Sequence, residues 1–298
     1  MNTRSAVDAT AGYYQGSTGL RLFRALLGAS QKVWPALAVR AAARLFATPL
    51  PPKWLQRKGA WDASWQIAHW PFEQAELTLY AQPAAPHGPV ALLVHGWGGH
   101  ARQMLQLADT LAQQGYRPVL LEMPAHGRSG GSWSNLPQFA RAIDYAIGRL
   151  QQEGHRVGLL AGHSLGANAA AYATSRGLAV DKLVLLAPPA SPRAYTRYFA
   201  QVFGLSEATR AGMQRRIEAS EGVLMQHFEA RAVSPRISVP TLVVHDREDR
   251  INAFADGQAF AHAIQGAQLV ATEGLGHRKL LKDPSVLARI ARFAKLQA

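Results

Sequence analysis

Residues 156–177 read RVGLLAGHSLGANAAAYATSRG, and this stretch predicts the fold more strongly than any other part of the chain. An apolar run typical of a buried strand leads directly into the pentapeptide GHSLG (162–166), and an alanine-rich run typical of a helix follows. The two glycines leave room for a sharp turn between strand and helix. This context predicts a nucleophile elbow, in which the hydroxyl of Ser164 is raised above the edge of the sheet.

Six further apolar runs predict strands and alternate with longer helical patterns. They are ELTLYA (76–81), PVALLVH (89–95), RPVLLEM (117–123), KLVLLAP (182–188), TLVVHD (241–246) and AQLVAT (267–272). Most are apolar on both faces, which is typical of parallel strands covered by helices. The sequence therefore predicts an α/β fold with a mostly parallel, twisted sheet flanked by helices.

A long connection interrupts this alternation between Pro188 and Thr241. Loops in compact α/β folds are usually about 2 to 6 residues long, so a connection of about fifty needs structure of its own. Its aromatic residues fall on one helical face, and Ser206 can cap a second helix through Arg216. We expect a small helical cap, inserted late in the sheet, at about residues 189–238.

The first 60 residues differ from the rest of the chain in charge. They carry nine Lys or Arg against Asp8 alone, and the helical pattern breaks near Trp34-Pro35 and again at TPLPPK (48–53). We predict a basic, amphipathic helical arm at 1–60 and an α/β domain at 61–298. Two interpretations of the arm stay open: it packs on the domain with its arginines in water, or it binds an anionic membrane surface weakly. Nucleic-acid binding is not expected.

Composition narrows the chemistry. The chain has 298 residues, 48% of them hydrophobic and 17% charged, with 32 Lys or Arg against 19 Asp or Glu and no cysteine. The hydrophobic and charged fractions predict a globular protein. Because the chain has no cysteine, it cannot form disulfides, zinc–thiolate sites or a cysteine nucleophile. We expect neither a cofactor nor a metal. With no secretory signal or membrane span in the pattern, we expect a cytoplasmic protein, peripheral attachment to a membrane being the alternative. The sequence leaves the oligomeric state open.

A serine nucleophile needs a base, and an acid to orient that base, later in the chain. Of the downstream histidines (His227, His245, His262 and His277), His277 follows the last predicted strand and is the base we expect. The loop PPASP after one strand offers no carboxylate, whereas the loop after TLVVH offers Asp246, Glu248 and Asp249. We favour Asp249 as the acid, and Asp246 is the alternative.

An acyl-transfer intermediate also needs two backbone N–H donors for its oxyanion. Leu165 follows the nucleophile directly, and Trp97 lies in the glycine-rich loop HGWGG (95–99) after a strand, so these two residues are predicted to form the oxyanion hole. We assign four side chains to a substrate pocket for a hydrophobic acyl group: Trp97, His163, Tyr195 and Phe199.

Five motifs in order, HGWGG, MPAHGRSGG, GHSLG, HDREDRI and GLGHR, resemble those of the α/β-hydrolase fold superfamily over about residues 74–298. The chain departs from that family at two loops. His245-Asp246-Arg247-Glu248-Asp249 stands where His-Gly-x-x-Asp is common, and a loop beginning at Glu122 stands where Asp-x-x-Gly-His-Gly-x-Ser is common. We interpret His126 and Ser129 in the second loop as structural.

The resemblance and the residues together predict a serine hydrolase that cleaves a carboxylic ester or thioester through an acyl-enzyme on Ser164. A serine at the elbow argues against dehalogenase or epoxide hydrolase chemistry, which uses an aspartate there. The alternative is a noncatalytic or membrane-surface binding protein on the same fold.

Overall fold

The computed structural model describes residues 18–53, 60–82 and 88–296. The strands within these ranges are β1 (Gln66–Phe72), β2 (Ala75–Ala81), β3 (Val90–Val94), β4 (Arg117–Glu122), β5 (Val157–His163), β6 (Leu183–Leu186), β7 (Thr241–Asp246) and β8 (Gln268–Thr272). They form one eight-stranded sheet in the order β1-β2-β4-β3-β5-β6-β7-β8. β2 runs antiparallel to both β1 and β4, and the other pairs are parallel. The predicted fold class is confirmed.

Each of the seven predicted runs forms a strand, and β1 is an addition that the sequence pattern did not reveal. Its sequence QIAHWPF is half exposed and contains Pro71. Proline is tolerated in β1 because it is an edge strand, where one side of the backbone needs no ladder partner. β1 and β2 form a hairpin in which Phe72 pairs with Ala75.

Helices cover both faces of the sheet. They are α1 (Thr18–Val33), α2 (Pro35–Phe46), α3 (Leu105–Ala112), α4 (Leu136–Gln152), α5 (Leu165–Ser175), α6 (Pro192–Phe203), α7 (Glu207–Glu221), α8 (Ala230–Val233), α9 (Phe254–Ala263), α10 (Gly276–Lys279) and α11 (Pro284–Ala294). Alternate residues of β3 show the two layers. Leu92 and Val94 pack with α4, α5 and α9, whereas Ala91 and Leu93 pack with α3 and α11. No helix in the described ranges is both long and apolar enough to cross a bilayer.

Helices α6 and α7 lie in the connection between β6 and β7. The left-handed Gly204 ends α6 (φ 68°), and the hydroxyl of Ser206 caps α7 by accepting the Thr209 N–H. Helix α7 continues past the predicted end at Arg216 to Glu221. Because both helices follow the carboxyl end of β6, they lie near the sheet edge where the elbow forms.

Helices α1 and α2 are held against α6 and α7. Ala42 and Ala43 of α2 form a small apolar core with Met213 and Ile217 of α7. The side chain of Gln31 donates to the carbonyl of Gly204 and accepts the N–H of Ser206 at 2.6 Å. The described part of the basic arm therefore packs on the rest of the chain through its inner face.

Candidate active site

Ser164 lies at the turn between β5 and α5, where the backbone takes an unusual conformation. Its φ is 54° and its ψ is −123°, in a region that residues with a side chain rarely occupy. The turn is fixed on the strand side by the Ser164 N–H, which donates to the carbonyl of Leu186 on β6 at 2.8 Å. This geometry turns the side chain out of both elements and into a cavity.

The glycines around Ser164 are required by close packing. A Cβ at Gly162 would lie 2.4 Å from the carbonyl oxygen of Gly166, and one at Gly166 would lie 2.4 Å from the carbonyl oxygen of His95. A Cβ at Gly96 would lie 2.8 Å from the Cβ of Ser164. Strand β5, helix α5 and the HGWGG loop therefore meet at distances that admit no side chain.

Two backbone amides are available beside Ser164. Among the described residues, neither the Trp97 N–H nor the Leu165 N–H donates a hydrogen bond to a protein acceptor. The next amide in the loop, that of Gly98, donates to Nε2 of His126 at 3.0 Å. His126 can accept there because its Nδ1 donates to the carbonyl of Pro124. Burial, reinforced by the nearby His95, holds the pKa of His126 well below its ordinary value, which keeps it neutral.

Glu122 organises the loop that departs from the family pattern. Its buried carboxylate accepts the hydroxyl of Tyr80 and the N–H of Ala101. Ser129 donates to the carbonyl of Glu122 and accepts the N–H of Thr78 on β2. His126 and Ser129 both make buried hydrogen bonds within this loop and its neighbours.

The structure brings Asp249 and His277 together. Nδ1 of His277 lies 2.7 Å from Oδ2 of Asp249, and the other carboxylate oxygen accepts the N–H groups of Ile251 and Asn252. Burial raises the pKa of Asp249, but hydrogen bonding to His245 and His277 outweighs burial and holds the pKa below its ordinary value. Asp249 is thus an ionised acceptor that holds Nδ1 of His277 as a donor.

Asp246, the alternative acid, points elsewhere. Its Oδ2 accepts the hydroxyl of Thr272 at 2.7 Å and the N–H of Leu275 at 3.0 Å, and its Oδ1 accepts the N–H of Glu248. It therefore ties the end of β7 to the loop that precedes His277 rather than to the imidazole itself.

Two further histidines surround this pair. Nε2 of His163 donates to the carbonyl of His277 at 2.9 Å, and the two imidazole rings lie 4.6 Å apart. Burial, together with the nearby His277, lowers the pKa of His163 to about 3, so its ring stays neutral. His245, at the end of β7, places Nε2 3.4 Å from Oδ2 of Asp249. His163 was predicted only as a pocket residue, and His245 was considered only among the possible bases. The position of a histidine at the end of a strand does not reveal which side chains surround it.

Ser164 and His277 line one cavity of about 570 Å³. No hydrogen bond joins their side chains in the part of the chain that the structure describes. The four side chains predicted for the pocket also line this cavity: Trp97, His163, Tyr195 and Phe199. The cavity wall includes four residues of the predicted arm: Leu45, Phe46, Thr48 and Leu50.

Polar side chains also line the cavity. Asp256 lines it, and burial raises the pKa of this carboxyl although the backbone N–H of Ala190 donates to it. The hydroxyl of Tyr195 donates to the side chain of Asn252. Among the described residues, no group of three His, Cys, Asp or Glu side chains is arranged to hold a metal ion.

Comparison with known proteins agrees with this geometry. The sequence model of the alpha/beta hydrolase family matches residues 91–290, about two thirds of the chain. The chain therefore belongs to the alpha/beta hydrolase family, as its motifs had predicted, and this membership supports hydrolase activity.

Individual relatives are distant. The AB hydrolase superfamily protein YisY of Bacillus subtilis (strain 168) is 24% identical over 272 residues, which cover 76% of this chain and 99% of YisY. Est1E of Butyrivibrio proteoclasticus, solved with ferulic acid bound, superimposes with a TM-score of 0.62 at 19% identity, covering 76% of this chain and 96% of Est1E. A membrane phospholipase A described as a bacterial virulence factor superimposes with a TM-score of 0.60 at 17% identity, covering 92% and 96%. At these identities the two superpositions establish a shared fold.

Proposed function

We infer that this protein is a serine hydrolase that cleaves carboxylic esters or thioesters, with Ser164 as nucleophile, His277 as base and Asp249 as the acid that orients the base. The observation that carries this inference is the 2.7 Å contact between His277 and Asp249 at the cavity that also contains Ser164. That arrangement fixes Nδ1 of His277 as the protonated nitrogen, which leaves Nε2 free to accept a proton.

Acylation begins when Nε2 of His277 takes the proton of the Ser164 hydroxyl as its oxygen attacks the substrate carbonyl carbon. The carbonyl becomes a tetrahedral oxyanion, to which the N–H groups of Trp97 and Leu165 donate. The intermediate collapses when the bond to the leaving oxygen or sulfur breaks and His277 returns its proton to that atom. Ser164 then carries the acyl group.

Deacylation repeats these steps with water as the nucleophile. His277 takes a proton from water, the hydroxide attacks the acyl carbon, and the same two amides hold the second oxyanion. The bond to Ser164 breaks, its oxygen recovers the proton from His277, and a carboxylic acid leaves. Asp249 remains ionised throughout and stabilises the imidazolium that forms twice in each cycle.

The composition of the cavity wall supports a hydrophobic substrate. Aliphatic and aromatic side chains from α2, α6 and α7 dominate it, including Phe46, Phe199 and Ile217. A volume of about 570 Å³ accommodates a small molecule with a hydrophobic acyl chain. Two structures of the same fold, Est1E with ferulic acid bound and a membrane phospholipase A, fit an ester substrate.

A fluorophosphonate probe tests the nucleophile directly. We expect one adduct per chain, mapped by mass spectrometry to Ser164, and no adduct on the Ser164→Ala variant. Turnover of a p-nitrophenyl ester should fall by about three to six orders of magnitude in that variant. Ser175 is the last residue of α5, and its hydroxyl donates to the carbonyl of Tyr172. It provides the matched control, since Ser175→Ala should label normally.

A series of p-nitrophenyl esters of increasing acyl length tests the substrate class. We expect kcat/KM to rise from acetyl toward medium chains as more of the apolar wall is covered. A preference for acetyl would contradict the hydrophobic pocket. Absence of both labelling and hydrolysis with every ester, thioester and amide would favour the noncatalytic alternative.

A further inference from the structure

The corner between α1 and α2 exposes large apolar side chains. Val33 is 62% exposed, Trp34 63% and Leu37 56%. Trp34 and Leu37 are three residues apart at the start of α2, so they lie on one face, and Val33 adjoins them. We call these three residues the apolar corner. It is exposed to solvent, although the opposite face of α2 packs against α7.

Basic side chains lie on one side of the apolar corner, where Lys32 directly precedes Val33. The described segment 18–53 contains six Lys or Arg and no Asp or Glu. A groove of about 790 Å³ runs between α1 and the α6–α7 turn, and Lys32 and Arg197 line it. Glu207 also lines the groove, but it is paired with Arg210 at 2.6 Å, so the pair adds no net charge.

We propose that the apolar corner and the adjoining basic groove dock this protein on an anionic phospholipid bilayer. A tryptophan flanked by aliphatic side chains is suited to the region between headgroups and acyl chains, and neighbouring cations pair with anionic headgroups. A second copy of the chain fits this surface poorly, because it would bring the same cations and a net charge of +13. This surface is independent of the proposed chemistry.

The docking surface and the active-site cavity share two helices. On α6, Arg197 lines the basic groove, whereas Tyr195 and Phe199 line the cavity. On α2, Trp34 and Leu37 lie at the first turn, and Phe46 at the last turn lines the cavity. A protein held at a bilayer by this surface would keep the cavity within one or two helix diameters of the lipid.

The test is co-sedimentation of the full chain with large unilamellar vesicles. One set is phosphatidylcholine with about one third phosphatidylglycerol, and the other is phosphatidylcholine alone. We expect partitioning at low salt to be at least tenfold stronger on the anionic vesicles and to fall steeply in high salt. Each cation near an anionic bilayer raises the binding constant for the membrane about fivefold. The double variant with Lys32→Gln and Arg197→Gln should therefore bind anionic vesicles more than tenfold more weakly.

Matched variants identify the surface. Trp34→Ser should weaken partitioning on anionic vesicles at least fivefold, whereas Ile67→Ser, at a residue 39% exposed on edge strand β1, should change it less than twofold. Arg289→Gln, at an exposed position on α11, is the control for charge. All variants should keep the melting temperature and the ester hydrolysis rate of the unaltered protein.

Several results would overturn the proposal. Equal binding to both kinds of vesicle, or loss of binding in the controls to the same extent as in Trp34→Ser, would show that this surface does not recognise anionic lipid. A dimer of the unaltered chain that Trp34→Ser dissociates, seen by light scattering without lipid, would instead make the apolar corner a self-association surface.

Discussion

Asp249 and Asp246 are three positions apart in one loop, yet their carboxylates face different partners. Asp249 accepts from Nδ1 of His277, whereas Asp246 accepts from Thr272 and Leu275. The difference follows from the turn after β7, in which the Asp249 N–H donates to the carbonyl of Asp246. This turn brings the carboxylate of Asp249 back over the edge of the sheet toward His277.

Asp249→Asn should therefore lower kcat by up to about four orders of magnitude. The amide would donate to His277 and stabilise the wrong tautomer, with the proton on Nε2. Asp246→Asn should lower kcat less than about tenfold, because it touches the His277 loop only through the backbone. Steady-state kinetics on one p-nitrophenyl ester checks the ranking, with circular dichroism to verify folding. The reverse ranking would transfer the role to Asp246.

His163 predicts a pH dependence of stability. Its folded pKa is about 3, against about 6.5 for a free imidazole. Between these values the unfolded chain binds a proton that the folded protein does not, so stability is lost as the pH falls below 6.5. Protonation of His163 in the unfolded chain should lower the free energy of unfolding by about 2 kcal/mol between pH 7.5 and pH 5.

The variant His163→Gln isolates this effect. Glutamine can keep the hydrogen bond to the carbonyl of His277 and does not titrate. Urea unfolding at pH 7.5 and at pH 5 should show the unaltered protein losing about 2 kcal/mol more than the variant. Equal losses in the two proteins would mean that His163 is accessible to protons in the folded state.

At the scale of elements, the contact between α2 and α7 joins the arm to the cap. Ala38, Ala42 and Ala43 are buried along one face of α2, and a Cβ at Gly212 of α7 would lie 2.8 Å from the side chain of Val39. Small residues on both helices allow the backbones to approach closely. The sequence pattern indicated that α2 is amphipathic, but the partner of its apolar face comes from a segment about 170 residues later.

Ala42→Glu should destabilise the protein by at least about 3 kcal/mol, because it places an unpaired carboxylate in this contact. Ala41→Glu, one position earlier and exposed, should change stability by less than about 0.5 kcal/mol. Thermal and urea unfolding of both variants measure the difference. Similar stabilities for the two would show that α2 separates from α7 in solution.

On the scale of the whole molecule, arm, cap and sheet are stacked so that each covers the apolar surface of the next. Removing residues 1–50 would uncover Met213 and Ile217 and delete Leu45, Phe46 and Leu50 from the cavity wall. The cavity therefore depends on segments from both ends of the fold.

We expect the chain lacking residues 1–50 to melt at least about 5 °C lower than the full chain and to bind a hydrophobic dye. Its kcat/KM should fall more for medium-chain esters than for acetyl esters, since part of the acyl-chain wall is gone. Differential scanning fluorimetry and the ester series measure both. Unchanged melting and unchanged chain-length preference would make the arm dispensable for the fold and for the cavity.

The sequence by itself determined the sheet from β2 to β8, the elbow at Ser164 and the short set of acids and bases that could serve it. These features can be predicted because buried parallel strands appear as continuous apolar runs and because the elbow is a turn formed by adjacent residues. The edge strand β1 was not readable, because a half-exposed strand with a proline lacks that pattern.

Tertiary structure alone decided which loop carboxylate meets His277, that His163 and His245 surround the pair, and that α2 forms part of the cavity wall. Each of these is a contact between segments far apart in the chain, determined by the path of the backbone and by close packing. The two interpretations of the arm were decided only in part by the same contacts. Its inner face packs on α7, and its outer apolar corner remains in water.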